Sequence, residues 1–277
     1  MEKYCYFNNK IVEASKQGLP LDDIGILRGV AIFEYFRTYN QKPFRLKDNY
    51  ERFKNSAKIV GLEVPITFLE LEKIVTKLIQ KNKLKECAFR MILTGGKSAD
   101  HITPEGKGVL YILVEKPPMV NPEFVLKGGK LITHEYMRQY PEAKTSCYIE
   151  ASKLQGKLKK AGAQEILFYS NDIAYECSKS NFLIIKNGQL ISPKKSILGG
   201  ITRKITIEIA KANKIRVAER DIKLDEIWQA DEALITSSGS AKIMPITKID
   251  GKKIGNGKVG PICQLLAEEF HKITNSN

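Results

Sequence analysis

A cluster of prolines near the middle of the chain limits the fold more than any other feature of the sequence. The segment Glu115-Lys116-Pro117-Pro118-Met119-Val120-Asn121-Pro122 holds three prolines within six residues. Proline lacks the backbone N–H that helices and sheets use, so the cluster interrupts both kinds of element. We therefore predict a linker at residues 117–123, between a smaller N-terminal domain at 1–116 and a larger C-terminal domain at 124–277.

Residue patterns on both sides of this linker alternate between the period of strands and that of helices. Strands are predicted at residues 32–39, 88–94, 109–115, 129–136, 165–169, 181–186 and 232–236. Helices are predicted at residues 47–60, 68–81, 150–160, 201–213 and 262–273. Asn187-Gly188 is a favoured hairpin dipeptide and predicts a turn between 182–186 and 189–192. With 43% hydrophobic and 27% charged residues, an ordinary globular composition, the predicted fold class is α/β (α+β) in two domains.

Several classes of protein are disfavoured by what the sequence lacks. The five cysteines form no C-x-x-C pair and only three histidines accompany them, so no metal site is expected and the thiols are interpreted as reduced. The start, Met1-Glu2-Lys3-Tyr4-Cys5, does not resemble a signal peptide. No apolar run approaches the roughly 20 residues that span a bilayer. We expect a cytoplasmic protein with no membrane partner.

The formal net charge of +14 has three interpretations. A basic chain can bind nucleic acid through its phosphates, but these lysines are scattered rather than gathered in a block with aromatic residues. A lysine-rich solvated surface explains the charge equally simply. A positive potential also attracts small anions such as phosphate esters and carboxylates. Nucleic-acid binding is kept as the least favoured of the three.

The segment Gly199-Gly200-Ile201-Thr202-Arg203 carries the clearest chemical information. Two glycines lead into a predicted helix, so free backbone N–H groups and the positive end of the helix dipole face one point, which is a natural anion site. Thr202 adds a hydroxyl group. An ordinary turn from loop to helix has the same pattern, so the segment alone does not decide between the two.

Six segments resemble, in the right order, the motifs of one enzyme family. They are 28–34, 47–61, 176–182, 197–203, 230–238 and, at the end, 249–251 with 257–261. The family is the fold-type IV pyridoxal-phosphate enzymes, which include branched-chain and D-amino acid aminotransferases and aminodeoxychorismate lyase. The resemblance implies a two-domain fold-type IV architecture, pyridoxal 5'-phosphate as cofactor, an amino acid or keto acid as substrate, and a homodimer.

The resemblance also implies roles for single residues. Glu176 would face the pyridine nitrogen of the cofactor and keep it protonated, so that the ring accepts electrons from the substrate's α-carbon. Leu198 would lie under the ring, and Lys179 would either pair with the phosphate or crowd the site. The residues implied for the phosphate cup are Arg52, Ile201, Thr202, Ser237 and Ser238.

The lysine that forms a Schiff base with the cofactor is expected at a position that here holds glutamine. The resemblance places it ten residues before the glutamate that opens the next strand, identified as Glu165, and seven before Gly162; both counts give Gln155. The upstream segment 144–148, Lys-Thr-Ser-Cys-Tyr, resembles the family's KxxNY-like segment without a gap. Glutamine has no amine, so any pyridoxal phosphate would be held without a covalent bond unless Lys159, one helical turn on, replaces it.

Two further departures weaken the expected catalysis. The segment 28–31 replaces the family's RGDG, and 94–98 lacks the arginine often found after the threonine. The first hypothesis is therefore a class IV aminotransferase or lyase with reduced activity. The second is a non-catalytic descendant that binds a phosphorylated or carboxylated small molecule or a protein partner, with or without the cofactor.

Overall fold

The fold is known from a computed structural model, which describes residues 1–106, 108–119, 121–239 and 242–277. The chain divides into two compact units, each of which mixes helices with a sheet. The first unit contains residues 1–118 together with 143–147 and Asn277, and the second contains 119–142 and 148–276. The segment 143–147 therefore packs with the first unit, although the sequence placed it in the larger domain.

The first unit is built on a six-stranded sheet. Its elements are β1 Tyr4–Phe7, β2 Lys10–Glu13, a 3-10 turn Ala14–Lys16, α1 Ile24–Leu27, β3 Ala31–Tyr39, β4 Lys42–Pro43, α2 Leu46–Ile59, α3 Phe68–Asn82, β5 Ala88–Thr94 and β6 Leu110–Glu115. The strand order is β2-β1-β6-β5-β3-β4. Side chains of β3 alternate between buried and half-buried, as the period of two requires, and its buried face packs with α2 and α3 into one core.

The second unit contains a larger sheet. Its elements are α4 Pro122–Lys127, β7 Gly129–Glu135, α5 Ile149–Lys153, α6 Gln155–Ala161, β8 Glu165–Ser170, β9 Ile173–Cys177, β10 Asn181–Lys186, β11 Gln189–Ser192, α7 Ile201–Ala212, β12 Arg216–Glu219, β13 Ile222–Lys223, α8 Leu224–Ile227, β14 Glu232–Ser237, β15 Lys242–Ile249, β16 Lys252–Lys253 and α9 Pro261–Asn275. The strand order is β12-β11-β10-β14-β15-β7-β8-β9-β13, and β10 also pairs with β9. This extra pairing, between Asn181 and Glu176, closes six of the strands into a ring.

Two predictions about local structure need correction. The helix predicted at 150–160 is two helices, because the backbone of Leu154 ends α5 and begins α6. The predicted linker contains the start of α4, since Pro122 occupies the first helical position, where its missing N–H would have had no partner.

The predicted hairpin at Asn187-Gly188 joins β10 to β11, with both residues at positive φ. No helix in the described part of the chain is long and apolar enough to cross a membrane.

Candidate active site

Glu176 lies at the end of β9, where β9 meets β10, and its side chain is buried. Arg138 donates from Nε to Glu176 Oε1 at 2.9 Å, and its Nη2 also donates to Oε1. On the other oxygen, Oε2, Asn181 Nδ2 donates at 3.1 Å and the Leu198 N–H at 3.0 Å. The carboxylate is therefore fixed in direction by a guanidinium on one oxygen and by neutral donors on the other. Leu198, predicted to lie under the cofactor ring, is in direct contact with Glu176.

Arg138 and Asn181 are site residues that the sequence did not single out for a role. Asn181 also donates to the Leu198 carbonyl at 2.8 Å, so it joins Glu176 to the loop that precedes α7. Asn181 was within reach of sequence reasoning, because it lies inside the matched segment 176–182. Arg138 carried no such signal, since it lies between β7 and α5 in a stretch without regular structure.

The loop before α7 presents its backbone as expected for an anion site. Gly200 is the N-cap residue of α7, and no side chain caps the helix there. A Cβ atom at Gly200 would collide with Asn181 Oδ1, so this position requires glycine for close approach. Ile201 and Thr202, both predicted to bind phosphate, form the first turn of α7. Their N–H groups are among those that a helix cannot satisfy internally.

β14 contributes a buried hydroxyl group at the same end of the sheet. Thr236 pairs directly with Asn181 across the strands, so the two side chains point to the same face. Thr236 Oγ1 is buried and has no hydrogen-bond partner among the described residues. Ser237 is the next residue of β14 and points to the other face, while Ser238 lies in the turn that follows. Unsatisfied buried hydroxyls are uncommon, which marks this face as a place for a polar ligand.

Lys179 pairs with a second buried carboxylate in this unit. Its Nζ lies 3.9 Å from Glu165 Oε1 and its N–H donates to Glu165 Oε2. Ser178 Oγ donates to Glu165 Oε2 at 2.6 Å and Ser180 Oγ to Oε1 at 3.4 Å. Burial raises the pKa of Glu165, and Lys179 and these hydrogen bonds only partly oppose that. Burial likewise raises the pKa of the neighbouring Cys177 thiol, with Glu165 and Glu176 adding to the effect.

Arg52, the remaining residue predicted for the phosphate cup, belongs to the first unit and binds Glu34 there. Its Nε donates to Glu34 Oε2 at 2.8 Å and its Nη2 to Oε1 at 2.6 Å. One turn further along α2, Ser56 Oγ donates to the Arg52 carbonyl at 3.0 Å and accepts the Lys144 N–H at 3.0 Å. The structure therefore links Arg52 to the lysine that opens the matched segment 144–148.

Lys144 is held on β3 as well as on α2. Its carbonyl accepts the Phe33 N–H at 2.9 Å, and its Nζ lies 4.4 Å from the centroid of the Phe33 ring. Ser146 continues this pairing by donating its N–H to the Ala31 carbonyl at 3.0 Å. The side chain of Lys144 is half-buried, so backbone and side chain are both fixed beside the strand that carries Glu34.

Gln155 and Lys159 lie on α6 and are both exposed. The side chain of Gln155 turns back on its own chain, where Nε2 donates to the Ala151 carbonyl at 2.8 Å. The break at Leu154 leaves that carbonyl available, which explains the contact. The lysines at 153, 157, 159 and 160 are also exposed, and Lys153 pairs with Glu150.

A family model for amino-transferase class IV matches residues 31–249, which is most of the chain. The chain belongs to the class IV aminotransferase family. This confirms both the resemblance carried by the six motifs and the mixed α/β fold class.

Relatives of this class IV family member match it over nearly their whole length. A putative branched-chain-amino-acid aminotransferase of Methanocaldococcus jannaschii is 31% identical over 279 residues, covering 97% of this chain and 95% of the relative. A D-alanine aminotransferase of Listeria monocytogenes is 33% identical over 276 residues, covering 95% and 93%. The crystal structure of a T.th. branched-chain amino acid aminotransferase with pyridoxamine 5'-phosphate has a TM-score of 0.90 at 26% identity, covering 100% and 95%.

The cofactor of class IV aminotransferases is pyridoxal phosphate, and the second unit has groups that suit it. The uncapped first turn of α7 offers N–H donors to a phosphate. Thr236 Oγ1 is a buried hydroxyl that lacks a partner among the described residues. Glu176 is a buried carboxylate whose contact with Arg138 favours the ionised form, as a protonated pyridine nitrogen requires. Among the described residues, no cluster of three acidic, histidine or cysteine side chains could hold a metal ion.

Proposed function

We propose that this chain is an active aminotransferase that moves an amino group between an amino acid and a keto acid, with Lys144 as the lysine that holds pyridoxal phosphate. The observation that carries the proposal is the link from Lys144 through Ser56 to Arg52. Through backbone groups it fixes the residue that carries the amine beside the turn of α2 that carries Arg52, the arginine expected at the phosphate. Family membership and the named activities of the relatives support the reaction class.

Three features support Lys144 over the lysines near Gln155. Lys144 is half-buried, and its backbone is fixed on both sides by Phe33 and Ser56. The Phe33 ring, whose centroid lies 4.4 Å from Nζ, limits the space open to the amine. Lys153 and Lys159 are exposed on a helix surface, and Lys153 pairs with Glu150 there.

In this proposal each of the candidate site residues has its own task. Bound pyridoxal phosphate supplies an electron-accepting ring that stabilises the charge left when the α-proton leaves the substrate. Glu176 would bind the pyridine nitrogen and keep it protonated, and Leu198 would lie on the side of the ring. The N–H groups of Ile201 and Thr202 bind the phosphate, with Arg52, Ser237 and Ser238 as further candidates. The Lys144 amine then holds the cofactor between turnovers and moves the α-proton.

The alternative keeps the prediction made from the sequence, in which Gln155 stands at the lysine position. Binding would then rest on the phosphate cup, Glu176 and ring packing, so the cofactor would be held reversibly and transamination would be absent or very weak. The non-catalytic descendant, which binds a phosphorylated or carboxylated ligand or a protein partner, is the limiting form of this alternative. The exposed amide of Gln155, which contains no amine, is the observation on its side.

One labelling experiment separates these interpretations. The purified protein is loaded with pyridoxal phosphate and reduced with borohydride, and the labelled lysine is mapped by mass spectrometry. Stoichiometric label on Lys144 supports the proposal, and label on Lys159 or Lys153 moves the amine to the helices around Leu154. A protein that binds the cofactor but carries no label matches the noncovalent alternative. Absence of any cofactor binding favours the non-catalytic descendant.

Matched variants test the same point by activity. We expect Lys144→Ala to lose transamination by at least about a thousandfold, because the amine both holds the cofactor and moves the proton. Gln155→Ala is the control and should keep near-normal activity. Under the alternative, Lys144→Ala changes little and Gln155→Lys creates the visible absorbance of covalently held cofactor.

We also propose that the protein is a homodimer located in the cytoplasm. Leu21, Ile26 and Leu27 of the first unit are exposed apolar side chains close together in sequence, at 89%, 54% and 40% exposure, which suits a protein interface. Cys5, Cys87, Cys177 and Cys263 are buried free thiols, as expected in a reducing compartment. Sedimentation at micromolar concentration tests the dimer, and a clean monomer would contradict it.

A further inference from the structure

We propose that Arg138 is a positioning residue that keeps Glu176 ionised and aimed at the pyridine nitrogen of the cofactor. The inference rests on the proposed function, because it concerns how Glu176 performs the task assigned to it there. Arg138 does not itself face the reacting atoms in this proposal. It acts on them through Glu176.

The first support is geometric. Both Nε and Nη2 of Arg138 donate to the same oxygen, Oε1 of Glu176. Nη2 also donates to the Pro141 carbonyl, which fixes the guanidinium from behind. Because the planar guanidinium is held at two points, it in turn fixes the plane of the carboxylate.

The second support is that the two carboxylate oxygens of Glu176 accept hydrogen bonds from different kinds of donor. Oε1 faces the cation, whereas Oε2 faces the neutral donors Asn181 Nδ2 and the Leu198 N–H. A carboxylate oxygen is attracted less strongly to an uncharged donor than to a guanidinium, which adds the attraction between opposite charges. Oε2 is therefore the oxygen whose present donors would be exchanged more easily for a pyridinium N–H. The backbone N–H of Leu198, the residue predicted to lie under the ring, already contacts Oε2.

The third support comes from Glu165, which serves as an internal comparison. Glu165 is also a buried carboxylate with several donors, but its cation, Lys179 Nζ, lies 3.9 Å away and on the surface. There burial dominates and raises the pKa of Glu165. Without Arg138, Glu176 would be left with neutral donors in a buried site and would tend in the same direction. A protonated Glu176 could not keep the pyridine nitrogen protonated.

The experiment measures pyridoxal phosphate affinity by absorbance titration across pH, using Arg138→Gln, Arg138→Lys, Glu176→Gln and the double variant of Arg138→Gln with Glu176→Gln. We expect Arg138→Gln to bind roughly tenfold or more weakly, the equivalent of one charged hydrogen bond. The deficit should be greatest at low pH and shrink as pH rises, because Glu176 ionises again. Arg138→Lys keeps the charge but not the planar two-point contact, so it should bind more tightly than Arg138→Gln, with a deficit that does not grow at low pH.

The double variant separates positioning from a merely structural role. If Arg138 acts through Glu176, the double variant binds the cofactor no more weakly than Glu176→Gln alone. Losses that add, or a deficit in Arg138→Gln that does not change with pH, would overturn the inference. Arg220→Gln is the matched control, since Arg220 binds Glu226 through two nitrogens in the same unit and should leave affinity unchanged.

The outcomes also distinguish this inference from the proposed function. If the wild type binds no pyridoxal phosphate, the proposed function fails and the inference fails with it. If the wild type binds and is labelled at Lys144 while Arg138→Gln binds equally well at every pH, only the inference fails. Should Arg138→Gln not fold, Arg138→Lys decides by its pH profile, because a deficit there that grows at low pH despite the retained charge contradicts the role assigned to Arg138.

Discussion

Each of the two units buries an arginine–glutamate pair, and the two pairs are built differently. In the first unit, Arg52 and Glu34 are 9% and 0% exposed and meet fork to fork, one nitrogen on each oxygen. In the second unit, Arg138 and Glu176 are 19% and 7% exposed, and two nitrogens share one oxygen. Glu34 also accepts the Tyr35 N–H, whereas the second oxygen of Glu176 accepts two neutral donors.

The difference follows from which partner is assigned to the cofactor. In the first pair it is the cation, Arg52, and Glu34 uses both of its oxygens to hold that cation in place. In the second pair it is the anion, Glu176, and Arg138 donates twice to its Oε1. A fork-to-fork pair commits both carboxylate oxygens, while an end-on pair leaves one oxygen on donors that are easier to exchange. Glu34 is thus arranged as a fixed counter-ion for Arg52, whereas Glu176 is arranged to accept a hydrogen bond from a ligand.

The largest effect should come from breaking the more deeply buried pair. Glu34→Ala leaves Arg52 as a buried charge without its carboxylate partner, which should cost roughly 3–5 kcal/mol of unfolding free energy. Urea unfolding measures the loss. The double variant Glu34→Leu with Arg52→Met should recover most of it, since replacing a buried pair by apolar residues is often neutral. A loss below about 1 kcal/mol for Glu34→Ala would mean that Glu34 is not the main counter-ion of Arg52.

Glu176→Ala should cost less, although it also removes a buried carboxylate. Arg138 keeps its contact with the Pro141 carbonyl and is partly exposed, so water can reach the guanidinium. We expect a loss of roughly 1–3 kcal/mol, the cost of leaving a polar group unsatisfied. Urea unfolding of cofactor-free protein gives the value. If Glu176→Ala proves more destabilising than Glu34→Ala, the order drawn from burial is wrong.

The sequence predicted regular elements better than the contacts between them. The strands at 88–94 and 181–186 have the same bounds as β5 and β10, because their apolar runs are bounded by polar or turn residues. β1 and β2 escaped prediction, since each has four residues and no extended pattern. β15 also escaped, although all but two of its residues are buried.

Candidate site residues were proposed from the sequence wherever they lay inside a matched motif. Glu176, Leu198, Ile201 and Thr202 were proposed in this way, and the fold brings them to one end of the sheet; their roles stay predictions. Arg138 could not be found, because it lies outside any periodic element and its partner is 38 residues away in sequence. Gln155 was placed by counting back through a helix that the structure interrupts at Leu154. The role given to it remains a prediction.

A third test concerns pH and sharpens the contrast between carboxylates with and without a close cation. Burial raises the pKa of Glu165 above its ordinary value of 4.5, so the folded protein binds a proton more tightly than the unfolded chain. Glu165 therefore adds stability at low pH, and this is lost as pH rises from about 4.5 through the folded value. In Glu165→Gln this decline should be absent. The check is the melting temperature of both proteins between acid and neutral pH, and parallel curves would refute it.

The smallest effect is expected at an arginine without a carboxylate partner among the described residues. Arg37 Nε is buried and has no hydrogen-bond partner among the residues that the structure describes. The guanidinium carbon of Arg37 lies 4.7 Å from the centre of the Tyr39 ring. Arg37→Met should relieve an unsatisfied donor, which costs roughly 1–3 kcal/mol. It also removes a cation–π contact that contributes roughly 0.5–2 kcal/mol. The two terms nearly cancel, so we expect a net change between zero and a gain of about 1 kcal/mol, measured by urea unfolding against the wild type. A loss larger than about 1 kcal/mol would show that Arg37 contributes stability without a paired carboxylate.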